Sequence, residues 1–493
     1  MAQTRTLADL GLTPRSGDAR AVITDIALDS RAVRPGALFA GLPGTRWHGA
    51  EFITYALRMR AGAVLTDREG AEIAAQALAA HPDVPLVVAE DARAALSMAA
   101  ALWFGAQPGC VVAVTGTNGK TSVASFARQI WASLGEAAIN IGTTGIEGAW
   151  EAPLAHTTPD ALTLHRLLAE AAGEGITHAA MEASSHGLEQ RRLDGVRLAA
   201  AGFTNLSQDH LDYHPDMEAY FQAKAGLFTR LLPDDAPAVV NVDDASGQRL
   251  AAMLEGRPLW RVGQAEGCDL RILAQRFEPH GQHLRFDLRG AVHQVRLPLV
   301  GGFQAANALL ALGLVLASGA PADEAVAALP RLKGVRGRMQ LAGTRANGAP
   351  VFVDYAHTPA ALETALKALR PHVMGRLIVV FGAGGDRDRG KRPLMGQAAA
   401  ENADVVYVTD DNPRSEDPAA IRVEILKACP EANEVGDRAE AILRGVDALL
   451  PGDALLIAGK GHEQGQTIGS TVYPFDDVEQ ASVAIEALDR RRA

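Results

Sequence analysis

Apolar and polar positions repeat along this chain with two periods, and the switches between them mark its elements. Near the N-terminus, ITDIALDSR and GALFAGLPG read as short strands with turns. EFITYALRMRAGAVLTD reads as helix followed by strand, PLVVAEDARAALSMAALWFG repeats that scheme, and QPG at 107–109 marks a joint. From residue 110 onward VVAVT, HAAMEAS, AAAGFTNL and APAVVNVDD are short β-rich runs separated by helical patterns, which predicts a parallel sheet. Over 262–300, LRILAQRFE, QHLRFDLRG and AVHQVRLPL alternate and predict an antiparallel insertion, followed by a helix in NALLALGLVLASG. A further unit starts near 336 with VFVDYAH, RLIVVFGAGG, ADVVYVTDD and ALLIAGKGHE, separated by helices such as AALETALKALR and AAIRVEILKAC. That order predicts a doubly wound α/β domain.

Length and charge narrow the picture. A chain of 493 residues suits two to four domains. Its net charge of −11 argues against a nucleic-acid binder that depends on counterion release, yet leaves small anionic substrates open. Cys110, Cys268 and Cys429 are far apart, so neither a disulfide framework nor a CxxC metal site is expected. The start, MAQTRTLADLGLTPRS, lacks the apolar core of a signal peptide. The stretch ALLALGLVLASGA is shorter than the roughly 20 residues of a membrane helix. A cytoplasmic protein, not inserted in a membrane, is expected.

The sharpest chemical signal is VVAVTGTNGKTS, a strand, a Gly-bearing turn, then Lys-Thr-Ser opening a helix. Backbone N–H groups and the helix dipole make such a junction an anion cradle. Gly116, Thr117, Asn118, Gly119, Lys120, Thr121 and Ser122 are the expected ATP-binding loop, with Lys120 on terminal phosphates and the Thr121 hydroxyl on magnesium. No Asn-Lys-x-Asp stretch reads guanine, so ATP is expected over GTP.

TGTNGKT resembles the shortened phosphate loop of the Mur ligases, ATP-dependent enzymes that form amide bonds in peptidoglycan precursor synthesis. The resemblance extends over essentially the whole chain. It implies a three-domain α/β architecture: a mixed α/β, UDP-sugar-binding N-terminal domain (1–109), a central P-loop ATPase domain with a parallel sheet (110–335), and a Rossmann-like, doubly wound, amino-acid-binding C-terminal domain (336–493). It also implies a magnesium site. Glu182 and Asp209-His210 are expected at strand ends on the edge that carries the phosphate loop. Thr121, Glu182 and His210 are the implied ligands, joined by Lys224 as a carbamate, and Lys120, Glu182, His210 and Lys224 are the implied catalytic set.

Other motifs follow in family order. GGFQAAN keeps Asn307 but has Gln304 for the first Asn, and GVRGRMQ supplies Arg338 with Gln340 where Glu is usual. Asp354 and His357 come from VFVDYAHTP. Asn307, Arg338 and Asp354 are the implied further ATP contacts. HTTPD has the local form of a helix start with Thr157 or Thr158 as N-cap. Thr157, Thr158, Ser184, Gln190 and Arg192, with Leu28 and Ser30 from ALDSR, are the implied contacts to UDP-N-acetylmuramoyl-L-alanyl-D-glutamate. TRWHG at 45–49 is the matching uridine loop.

In the last domain every strand finishes in polar residues. GAGGDR is no dinucleotide fingerprint, because Arg387 stands where the third small residue belongs. Asp411-Asn412-Pro413-Arg414 is the family motif that accompanies meso-diaminopimelate, whose distal carboxylate suits a guanidinium and whose distal ammonium suits an acid. Arg387, Gly459 and Glu463 complete that implied set, with Gly465 where Tyr is common. The implied reaction is carboxylate plus amine plus ATP, through an acyl phosphate, by a monomer. A lysine-adding, D-Ala-D-Ala-adding or folate-directed relative is the alternative, as is a non-catalytic ATP-binding regulator. DNPR for the amino acid, ALDSR with HTTPD for the nucleotide sugar, and the set Lys120, Glu182, His210 and Lys224 for catalysis are the discriminators.

Overall fold

The computed structural model describes residues 4–44, 47–154, 156–209 and 213–490. His210 and the Thr45-Arg46 pair of the uridine loop lie outside them. Two compact units divide the chain: Met1–Arg261 with Gly313–Pro321, and Val262–Leu312 with Ala322–Ala493.

Besides the short antiparallel pair Arg5–Thr6 with Val22–Ile23, the first unit contributes strands to two sheets. Strands Asp25–Ala27, Ala37–Gly41, Ala63–Thr66 and Leu86–Val88 are parallel neighbours in sequence order. Alternate side chains serve two cores, as a strand period of two requires. Leu38, Ala40 and Leu65 pack with Leu96, Ala99 and Trp103 of helix Ala92–Phe104. Phe39 and Val64 face the other way, onto Ile53, Ala56 and Leu57 of helix Ile53–Arg58.

In the larger sheet the phosphate-loop strand Cys110–Thr115 is central, with Leu198–Phe203 on one side and His178–Glu182 on the other, both parallel to it. Ala238–Asn241 extends one flank. The other carries Ala138–Gly142, then Gly145–Gly148 in an antiparallel hairpin closed by Thr143-Thr144. The periodicity did not single out this hairpin. Because Cys110–Thr115 sits where the strand order reverses, its C-terminal end opens on the crevice that such sheets use for ligands.

In the second unit, Leu270–Glu278, Gly281–Leu288 and Ala291–Leu297 form the expected antiparallel meander. The final sheet runs Gln340–Thr344, Pro350–Asp354, Ala454–Ala458, Leu377–Phe381, Val405–Val408, Asn433–Glu434, parallel except for the first strand. Phe352, Val379, Phe381 and Leu456 pack under helices Pro359–Leu369, Lys391–Asn402 and Pro418–Leu426. Val351, Val353, Ile378 and Ile457 pack on the opposite face, against Arg438–Asp447 and Asp477–Arg490. Both faces are covered, which is why these strands read as unbroken apolar runs. No helix among the described residues is long and apolar enough to cross a membrane.

Candidate active site

The phosphate loop is held by backbone geometry. Gly116 has φ 146°, and a Cβ there would strike the Thr204 hydroxyl; Gly119 caps helix Lys120–Ser133 at φ 88°. The segment after Leu198–Phe203 clamps the loop. Thr117 N donates to Asn205 O (2.8 Å), Asn118 N to Asn205 Oδ1 (3.0 Å) and Thr204 Oγ1 to Asn118 O (2.6 Å). Lys120 Nζ folds back on the carbonyls of Gly116 and Thr117, at 2.9 Å each. Thr121 and Ser122 are buried in the first helical turn.

Glu182 ends its strand as expected and is 1 % exposed. Its Oε2 accepts from Thr121 Oγ1 (3.1 Å) and Thr143 Oγ1 (3.3 Å), and its Oε1 from Thr143 N (2.7 Å). Only neutral donors surround this carboxylate among the described residues, whereas buried carboxylates are normally paired or bound to a metal.

Lys224, on helix Met217–Gly226, is also 1 % exposed. Its Nζ donates to Gly116 O (2.7 Å) and lies 4.4 Å from the centroid of the Tyr220 ring. Burial first, then nearby Lys120, holds this amine well below the ordinary lysine range, with Asp209 opposing. Asp209 does not end a strand: the strand stops at Phe203, because the chain then turns to clamp the phosphate loop.

The helix after HTTPD is Ala161–Gly173, and its N-cap is Asp160, which accepts from Thr163 N. Thr157 and Thr158 are not caps, because tertiary bonds take their hydroxyls. Thr157 Oγ1 lies 3.0 Å from Thr143 Oγ1; Thr158 Oγ1 donates to Glu182 O (2.9 Å) and accepts from Ser184 N (3.1 Å). Arg192 donates to Thr158 O and to Gln190 Oε1 (2.8 Å), and burial lowers its pKa. Thr157, Thr158, Ser184, Gln190 and Arg192 therefore gather around the end of the Glu182 strand. Leu28 and Ser30 lie at the smaller sheet, Leu28 against its core and Ser30 in the turn capped by Asp29.

In the second unit, Arg338 stacks over Tyr355 at 4.9 Å. Asp354 accepts from Met339 N (2.7 Å) and Ala356 N (2.9 Å); burial raises its pKa while Arg338 counteracts. Asn307 instead donates to Gln304 Oε1 (3.1 Å) within helix Phe303–Ala317.

The DNPR corner is clamped from several sides. Asn412 Nδ2 donates to Glu463 Oε2 (2.9 Å), while its Oδ1 accepts from Lys460 Nζ (3.0 Å) and Thr467 N (2.9 Å). Lys460, fully buried, also bonds Glu463 Oε2 at 3.1 Å, so Glu463 already has a cationic partner. Asp411 is buried, and a Cβ on Gly459 (φ 119°) would sit 2.6 Å from its Oδ2. Arg414 has φ 51°; its N donates to Thr467 O (3.1 Å) and its carbonyl accepts from Gly469 N (2.7 Å). Its guanidinium meets the carbonyls of Gly385 (2.8 Å) and Asn412 (3.5 Å) and no carboxylate among the described residues. Pro413 is buried and Arg387 is exposed. Lys460 and the hairpin Gly465–Ile468/Thr471–Pro474 were missed from sequence. Lys460 stands inside GKGHE, so the motif itself was the available signal.

A phosphate loop, a buried strand-end carboxylate and a second polar strand end whose guanidinium rests only on carbonyls among the described residues define an α/β protein built for phosphoryl and carboxylate chemistry. Three family models match: the Mur ligase family catalytic domain over 22–104, the Mur ligase middle domain over 114–315, and the Mur ligase glutamate ligase domain over 337–461. The chain is 49% identical to the UDP-N-acetylmuramoyl-L-alanyl-D-glutamate–2,6-diaminopimelate ligase of Caulobacter vibrioides, across 99% of this chain and 100% of that one. To the protein of the same name from Brucella melitensis it is 51% identical, across 94% of each. A solved structure of a ligase of that name superposes with a TM-score of 0.74 at 34% identity, covering 99% of both chains. The chain belongs to the Mur ligase family, whose members use ATP.

Proposed function

We propose that this chain joins meso-diaminopimelate to UDP-N-acetylmuramoyl-L-alanyl-D-glutamate at the expense of ATP, in peptidoglycan precursor synthesis. The observation that carries the choice of amine is Arg414, a guanidinium on a strained, doubly bonded backbone that rests on carbonyls, with no carboxylate in ion-pair contact among the described residues. A distal carboxylate completes it, and L-lysine has none. The names of the full-length relatives point the same way.

The residue roles follow from chemistry. The loop Gly116–Ser122 cradles the ATP phosphates, and Lys120 exchanges its loop carbonyls for phosphate oxygens. Asn307, Arg338 and Asp354 are read as its further contacts. The Thr121 hydroxyl, the Glu182 carboxylate and Lys224 as a carbamate form an oxygen donor set that fits magnesium, and His210 is assigned beside them. Among the described residues no three His, Cys, Asp or Glu cluster as a metal site, so the assignment rests on the hydroxyl and the carbamate. Magnesium there supplies charge neutralisation for phosphoryl transfer. A neutral amine is what carbon dioxide must meet, and the buried Lys224 is held toward that form.

Thr157, Thr158, Ser184, Gln190 and Arg192 present the dipeptide carboxylate, with Leu28 and Ser30 on the uridine. Asp411, Asn412, Pro413, Arg414, Arg387, Gly459 and Glu463 bind the amino acid. The carboxylate becomes an acyl phosphate, the amine attacks, and phosphate leaves. We read residues 1–109, 110–335 and 336–493 as the UDP-sugar, ATP and amino-acid domains of a cytoplasmic monomer. Phosphate release is measured with the UDP-muramoyl-dipeptide while meso-diaminopimelate, L-lysine and D-Ala-D-Ala are offered separately. Release with meso-diaminopimelate alone is expected; release indifferent to the amine, or absent with all three, overturns the reading.

A further inference from the structure

Three features of one hairpin converge on one carboxylate. Strands Ala138–Gly142 and Gly145–Gly148 pair with Gly142 opposite Gly145, leaving Thr143 and Thr144 as a two-residue turn. A Cβ on Gly142 would collide with the Glu182 carboxylate, so a side chain there would displace Glu182 from its present position. The next residue supplies two donors: Thr143 N to Glu182 Oε1 at 2.7 Å and Thr143 Oγ1 to Glu182 Oε2 at 3.3 Å. A hydroxyl has a single proton. With that proton on Glu182, Thr157 Oγ1, 3.0 Å away, donates into Thr143 and gives the chain Thr157 to Thr143 to Glu182 a direction. Gly145, at φ 104°, lets the turn close so tightly.

We propose that Thr143 is a positioning residue that aims Glu182 at the divalent cation. The inference rests on the assignment of Glu182 to that cation. Partners that orient a metal ligand fix its geometry without touching the metal, and their loss typically weakens metal affinity by about 10–100-fold. Thr143→Val is the informative variant, because valine keeps the shape and the backbone N–H while deleting the hydroxyl.

Mn2+ affinity of the ADP complex, read by electron paramagnetic resonance, is the direct probe, followed beside steady-state kinetics and the thermal midpoint. Thr143→Val is expected to raise the Mn2+ Kd about 10-fold. It lowers kcat in parallel and leaves the KM for meso-diaminopimelate and the melting midpoint unchanged. Thr143→Ser restores most of both losses. An unchanged Mn2+ Kd in Thr143→Val, or failure of serine to restore it, overturns the inference. Glu182→Gln separates the two levels: if it binds Mn2+ normally, the cation assignment itself fails. If it does not, and Thr143→Val is silent, only the role of Thr143 fails.

Discussion

The phosphate-loop edge and the DNPR corner are both polar ends of parallel strands, yet they are held in opposite ways. Around the loop no ion pair among the described residues forms the frame: backbone N–H groups, threonine hydroxyls, an asparagine and glycines that leave room hold it, with Lys120 and Lys224 on loop carbonyls. Around the corner, buried ion pairs form the frame. Arg392, fully buried, bonds Glu416 (2.7 Å) and Glu424 (2.9 Å), and Glu416 also accepts from Asp386 N (2.6 Å). Arg438 and Asp477, both fully buried, pair at 2.7 Å, and Arg438 Nη2 reaches the carbonyl of Ala458 (3.0 Å) at a strand end. The contrast has a physical reason. A site for phosphates and a cation works with preorganised dipoles that hold the loop in shape, so that the few charged side chains in it, Lys120 and Glu182, are left to the ligand charges. A site for a zwitterion must place opposite charges side by side without letting them collapse on each other, and fixed ion pairs do that.

That contrast can be broken at either end. The largest effect is expected at Lys224. Lys224→Ala should cut turnover about 1000-fold or more, as losses of transition-state charge stabilisation do. Partial recovery with an added short carboxylate is expected, and full activity in the untreated variant refutes the carbamate. Next comes the frame of the corner. Arg438→Met strands a buried Asp477 carboxylate and should lower the unfolding free energy by about 3–5 kcal/mol, read by urea denaturation. A negligible loss would mean that the pair does not carry the corner.

Arg414→Ala should weaken use of meso-diaminopimelate by about 2–4 kcal/mol in kcat/KM, the range for deleting one partner of a charge-assisted contact. The KM for ATP should barely move; an equal fall in both would make the corner structural. The smallest effect lies away from both sites. Burial holds His165 at about 4 against an ordinary 6.5, with its Nε2 on the carbonyl of Asp194. The unfolded chain therefore takes up this proton first as pH falls below 6.5. Stability is full above that value and declines toward pH 4, by about 1.4 kcal/mol per pH unit from this group. His165→Leu should flatten the slope measured between pH 7 and 5, and an unchanged slope assigns it elsewhere.

The same two regions divide what was legible. The phosphate loop was readable because Gly116, Gly119, Lys120 and Thr121 fall in one short stretch between a strand and a helix, so local pattern and function coincide. DNPR was readable as a motif, and so were the strands of the C-terminal doubly wound sheet, whose apolar runs follow from burial on two faces. Asp209 as a strand end, and Thr157 or Thr158 as a helix cap, were local readings that the fold replaced.

What the sequence by itself determined was the order of elements, the phosphate loop and the residue types offered to each crevice. Only the tertiary structure decided which donor meets which acceptor. Thr158 could cap a helix, but the strand end of Glu182 lies close enough to take its hydroxyl, and Asp160 caps instead. Glu463 has Lys460 beside it in sequence, but Asn412, 51 residues away, is brought to it only by the fold. Gly142 and Thr143 carried no signal in the sequence, and their part emerged only once Glu182 was placed against them. Hydrogen bonds and ion pairs are settled by distance, and between residues remote in sequence distance is a property of the packed fold.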